Sequence, residues 1–156
     1  YTVNKILWLK DHCPDVFKKT WKFCCVEDYI IYRLTEAQPV IDYSLAARTM
    51  LFDVVKKEWS GKICKLAGVD PQNLSRAIPS GSIAGTISSK VSGISGLPKN
   101  LLIATGGHDQ PCGVLGCGVK NPGEAMYGIG TYECVALNLG GSAFFIREML
   151  ENSFCC

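Results

Sequence analysis

A chain of 156 residues, 47% hydrophobic and 19% charged, is long enough to bury one compact core. Its formal charge of +2 points to neither a nucleic-acid nor a strongly acidic partner, and the densest basic group (Lys18, Lys19, Lys22) reads as a solvated helix face. No uninterrupted apolar run reaches membrane-spanning length, and the first residues lack the charged-then-apolar layout of a signal peptide.

In chain order, Thr2 can cap a first helix carrying Ile6, Leu7, Trp8 and Leu9. Pro14 breaks it, and a short helix over 15–21 follows. Glu27 and Asp28 open a helix over 26–34 whose Arg33 lies near its end, the charge order that the helix dipole favours. Val40-Ile41 reads as an extended segment running into Asp42-Tyr43-Ser44, then a turn of helix through Ala46, Ala47 and Arg48. Met50-Leu51-Phe52 reads as buried. Val55, Trp59, Ile63 and Leu66 make a helical stripe that stops at Gly68, with Trp59 a core residue. Residues 69–71 and 78–81 are turns.

An alternation follows. Residues 82–87 read as a strand, Ser88-Ser89 can cap a helix through Val91 and Ile94, and Gly96 ends it. Residues 101–105 form the next strand and 112–118 the next helix, a βαβα order that implies parallel strands and a right-handed connection. Asn121-Pro122-Gly123 marks a boundary, and 125–130 with 133–139 read as a hairpin bent at Gly128-Ile129-Gly130-Thr131. No internal repeat or low-complexity segment interrupts this pattern.

Asp109 stands where the strand 101–105 gives way, through Gly106-Gly107, to a helix. That is the usual location of chemistry in an open α/β sheet. Asp109 is also a good N-cap, so a purely structural role fits the local pattern too. Glycines in the second corner let backbone N–H groups approach an anion, and Thr131 adds a hydroxyl donor, although an ordinary hairpin turn has the same residues. No lysine or helix follows with the spacing of a Walker A loop.

The nine cysteines are odd in number, include two adjacent pairs, and show no C-x-x-C spacing. With two histidines only, a zinc site is not expected; buried reduced thiols acting as small apolar side chains are, which implies a reducing, cytoplasmic setting. The start at Tyr1 without a methionine suggests a piece of a longer protein.

Three ordered stretches resemble one family. Thr2-x-x-Lys5-Ile6-x-Trp8-Leu9-x-Asp11, Asp42-Tyr43-Ser44-x-Ala46-x-Arg48-Thr49-Met50-Leu51-Phe52-Asp53 and Gly106-Gly107-His108-Asp109-Gln110 look like the FGGY carbohydrate kinases, from Thr2 to about Leu139. The resemblance implies an α/β fold of the actin-like ATPase (ribonuclease H-like) type, present in part. Residues 1–118 would be the latter part of the N-terminal sugar-binding domain, and 119–156 the beginning of the C-terminal ATP-binding domain. It implies that Asp109 is the general base on a sugar or polyol hydroxyl and that Gln110 hydrogen-bonds the substrate. Gly130 and Thr131 would contact the phosphates of ATP, with Mg2+ as cofactor of the whole enzyme. His108 is a packing or supporting residue, and the bulky Tyr132 departs from the small residue common after that threonine.

The family's first phosphate loop and adenosine-binding part have no counterpart here, so the piece alone is expected to be inactive. Its incomplete sheet would leave apolar edges able to pair between copies, as in a homodimer. A phosphorylating enzyme thus stands against a non-catalytic α/β module, in which Asp109 is a cap and the glycine corner a turn.

Overall fold

The computed structural model describes residues 1–131 and 133–141. These fall into two compact units, Tyr1–Gly107 and the chain from His108 onward.

The first unit opens with α1 (Thr2–His12), which buries Val3 and Ile6. Thr2 is already helical and Tyr1 holds the cap position without a side-chain bond, contrary to the expected Thr2 cap. Helix α2 (Pro14–Lys19) begins on its proline, where the missing N–H has no helical partner to lose. Helix α3 (Val26–Thr35) carries Glu27 and Asp28 in its first turn and Arg33 in its last. Strand β1 (Val40–Asp42) is buried throughout and ends at Asp42, whose carboxylate caps α4 (Tyr43–Ala47) through the N–H groups of Ser44 and Leu45.

The stripe expected from Val55 to Leu66 is not one helix. Strands β2 (Phe52–Asp53) and β3 (Glu58–Trp59) form a small antiparallel pair, and α5 (Gly61–Ala67) starts only afterwards. Asp53 Oδ1 accepts from the N–H groups of Val55 and Lys56, at 3.1 and 2.9 Å, and Lys57 turns with φ 58°. That local side-chain bonding competes with helix formation. Val55, Ile63 and Leu66 are exposed, as is Met50, against the expectation of a buried Met50-Leu51-Phe52. The end of the stripe is as expected: Gly68 closes α5 in the left-handed region.

A 3-10 turn (Pro71–Asn73) leads into β4 (Arg76–Ile78), which pairs in parallel with β1, Val40 opposite Arg76. Two apolar clusters meet at Trp59. One holds Val3, Ile6, Leu51, Cys64, Ala67, Val69 and Leu74; the other holds Ile41, Ala46 and Phe52. The Trp59 indole N–H donates to the Ser75 carbonyl at 2.9 Å, so its one polar atom is satisfied.

Strands β5 (Ile83–Thr86) and β6 (Leu102–Ala104) are antiparallel, which overturns the expected parallel pair and its crossover. The helix between them, α6 (Ser89–Ser95), is capped by Ser88 and stopped by left-handed Gly96. Seven residues rise only about 10 Å. The chain then doubles back: Ser92 Oγ donates to Leu97 O at 2.6 Å, and Leu101 N–H to Pro98 O at 3.0 Å. Ile87 N–H donates to Leu101 O at 2.9 Å, so α6 is an excursion at the closed end of a hairpin.

The second unit contains α7 (Asp109–Gly116) and the antiparallel hairpin of β7 (Ala125–Ile129) and β8 (Glu133–Leu137), the hairpin expected from the sequence, with Ala125 opposite Leu137. Among the described residues no helix is long and apolar enough to cross a membrane. The described cysteines are free thiols, but only Cys64 is fully buried; Cys112 and Cys117 are exposed, against the expectation of buried thiols. Cys155 and Cys156 lie outside the described residues.

Candidate active site

The site is assembled on the first turn of α7. His108, not Asp109, holds the cap position, with its Nδ1 lying 3.4 Å from the Gln110 N–H. Asp109 is the first residue of the helix, where the partial positive charge of the unpaired N–H groups favours a carboxylate. Its Oδ1 accepts from Gln110 N–H at 2.8 Å and lies 3.1 Å from His108 Nδ1. The Asp109 side chain is nonetheless 80% exposed, against 24% for His108. One oxygen is steadied by the helix start while the carboxyl group as a whole faces solvent.

A glycine lets this helix lie against the hairpin. A Cβ at Gly113 would meet the Met126 sulfur at 3.3 Å, tighter than side chains normally approach. A Cβ at Gly128 would stand 4.0 Å from Gln110 Oε1, so Gln110 reaches the end of β7. Two residues beyond Gly128 the chain bends through Gly130 and Thr131, both exposed. Asp109, Gln110, Gly130 and Thr131 therefore all belong to the second unit, with Gln110 beside the strand that runs into the bend. Tyr132 and the segment 142–146 lie outside the described residues.

The turn before the hairpin is closed by Glu124. It accepts from the N–H groups of Lys120 (2.8 Å) and Asn121 (2.9 Å) and from Asn121 Nδ2 (2.7 Å), which holds its pKa down at about 2.

Sequence reasoning did not single out a second carboxyl group cluster, in the first unit. Asp42 is fully buried, and its Oδ2 accepts from Ser44 N–H (2.7 Å), Ser44 Oγ (2.5 Å) and Ser80 Oγ (2.6 Å). Oδ1 takes the Leu45 N–H at 3.2 Å. Burial alone would raise its pKa, but the donors outweigh burial and hold it below the usual aspartate range. Glu27 lies against Asp42. Burial pushes its pKa up, opposed by a bond from Gly106 N–H and reinforced by the Asp42 charge. Asp28, fully buried, accepts from Ser75 Oγ, and burial raises its pKa as well. The signal available in the sequence was Asp42 two residues before Ser44 at the start of a helix, a capping arrangement.

Chemically, the second unit offers an accessible carboxylate to orient a hydroxyl, an amide neighbour, and a bend with backbone and hydroxyl donors of the kind that hold phosphate oxygens. Among the described residues no group of three or more His, Cys, Asp or Glu could hold a metal ion.

Comparison with known proteins identifies the family. The N-terminal domain of the FGGY family of carbohydrate kinases matches residues 1–116. The chain is 34% identical over 131 residues to the xylulose kinase of Bacillus subtilis, covering 84% of this chain and 26% of that enzyme. It is 33% identical over 148 residues to the xylulose kinase of Staphylococcus xylosus, covering 95% of this chain and 30% of that enzyme. The structure of ligand-bound xylulose kinase from Lactobacillus acidophilus superposes with a TM-score of 0.79 at 22% identity, over 86% of this chain and 27% of that one, a likeness of fold. The chain thus spans between a quarter and a third of the length of these relatives. It is a mixed α/β portion of the actin-like ATPase fold, and it belongs to the FGGY family of carbohydrate kinases.

Proposed function

We propose that the protein to which this chain belongs transfers a phosphoryl group from ATP to a hydroxyl of a sugar or polyol, with Asp109 as the base. The observation that supports this most directly is the solvent-open Asp109 carboxylate at the start of α7, in the same unit as the exposed Gly130–Thr131 bend. Both named curated relatives are xylulose kinases, which makes D-xylulose the first acceptor to try.

A carboxylate is too weak a base to ionise a sugar hydroxyl in the ground state. Asp109 instead accepts a hydrogen bond from the hydroxyl, aims its oxygen, and takes the proton late, as the new bond to phosphorus makes that oxygen acidic. Gln110, beside Gly128, is the neighbour that would hold a second hydroxyl of the same substrate. ATP, when bound, supplies the phosphoryl group, and the Gly130 N–H with the Thr131 hydroxyl are the donors here that fit its phosphates. Magnesium, carried with the phosphates of ATP, would need only one or two carboxylates from the protein.

On this reading residues 1–118 complete a sugar-binding domain and 119–156 open an ATP-binding one, supported by the family match ending at residue 116. The enzyme works in the cytoplasm, and residues 1–156 alone do not turn over. The test is an assay of the complete protein with labelled ATP against pentuloses, hexoses, polyols and sugar acids. Transfer to at least one acceptor is expected. Absence of transfer to all of them would leave a non-catalytic module as the better account.

A further inference from the structure

The Gly106-Gly107 turn ends the first unit two residues before Asp109, and it is tied down from an unexpected quarter. The Gly106 N–H donates to Glu27 Oε1 at 2.6 Å, joining the first turn of α3 to the chain leaving β6. Its neighbour is tied as well: the Thr105 hydroxyl donates to Pro79 O at 3.1 Å and accepts from Ser82 N–H at 3.1 Å. Glu27 is itself held. Its other oxygen, Oε2, is buried without a hydrogen-bond donor, and its carboxyl group lies against that of Asp42. Asp42 is held in place by donors from Ser44, Ser80 and Leu45, and its Oδ1, taking the Leu45 N–H, keeps a lone pair to spare. A proton on Glu27 Oε2 would be shared with Asp42, leaving Oε1 to accept from Gly106.

We propose that Glu27 is a positioning residue for phosphoryl transfer, pinning the Gly106 N–H and so fixing the chain from which Asp109 extends. The inference rests on the kinase reading above. Glu27 touches no reacting atom; it acts by holding a backbone whose small displacement would misplace the base, and displacements of about 1 Å cost rates of the order of a hundredfold.

The test compares Glu27→Met and Glu27→Gln in the complete protein, with ATP and D-xylulose or whichever acceptor the wild type phosphorylates fastest. Methionine keeps length and helix propensity but cannot accept the Gly106 N–H. Glutamine reproduces the protonated acid, since its carbonyl accepts from Gly106 while its NH2 donates to Asp42. Glu27→Met is expected to lower kcat at least about tenfold with KM for ATP little changed, and Glu27→Gln to restore it to within about threefold. Amide exchange of Gly106 should accelerate in the methionine variant and stay slow in the glutamine variant. Unchanged kcat in Glu27→Met overturns the proposal, and so does equal damage from both substitutions, which would indicate a general loss of folding. A wild type inactive on every acceptor sinks the kinase reading and this role together. The exchange pattern alone would then still report whether Glu27 holds the turn.

Discussion

Asp42 and Asp109 each sit at the start of a helix, and the fold treats them in opposite ways. Asp42 is 0% exposed and bound by two hydroxyls and two N–H groups; Asp109 is 80% exposed and takes one N–H from the residue beside it. A carboxylate buried under four donors organises the chain around it and is closed to a ligand. One that is steadied through a single oxygen keeps capacity for a substrate hydroxyl. The difference lies in surroundings, since both residues share the same local signature of an acid before a short helix.

The contrast can be broken from the buried side first. Asp42→Ala strands the Ser44 and Ser80 hydroxyls and two N–H groups, and should cost about 4 kcal/mol, read as the unfolding free energy in denaturant. Asp109→Ala should leave that measurement unchanged. Leu51→Ala, at a fully buried position shared with Val3 and Cys64, should cost about 3 kcal/mol by transfer and cavity terms.

Next in size is the pH dependence. The raised pKa of Glu27 means that its contribution to stability is complete below the ordinary glutamate range and is lost as pH rises through the folded-state value. The lowered pKa of Asp42 works the other way: its contribution is present above the ordinary aspartate range and is lost as pH falls through the folded-state value. Tm measured across pH should therefore decline on both sides, and Glu27→Gln should lessen the alkaline-side decline, to which buried Asp28 also contributes, without touching the acid side. The smallest effect belongs to Glu124. Its carboxylate should protect the Lys120 and Asn121 amides from exchange until pH falls towards about 2, a protection that Glu124→Ala removes.

Much of this was legible in the residues. Ser88 and Gly96 bracket α6, Gly68 closes α5, and the alternation around Gly130 marks the final hairpin, because each signal acts within a few residues. Asp109 and Gln110 could be placed at a helix start for the same reason. What escaped was set by partners distant in sequence. The direction of β6 against β5 depends on how Leu97 to Leu101 folds back onto Ser92 and Ile87. The Val55–Leu66 stripe yielded to the side-chain bonds of Asp53. Glu27 looked like a dipole-complementing acid, and only the approach of Gly106, 79 residues away, shows what its carboxyl group holds.

The central claim is that Asp109 serves as the base, and the most direct test is kcat of the complete protein carrying Asp109→Asn, measured at saturating ATP and acceptor. The amide keeps the shape and can still accept from the Gln110 N–H, but it cannot take a proton. A fall of about a thousandfold with ATP affinity and Tm unchanged is the expected result. Turnover within about threefold of wild type, far less than loss of a general base should cost, would contradict the account.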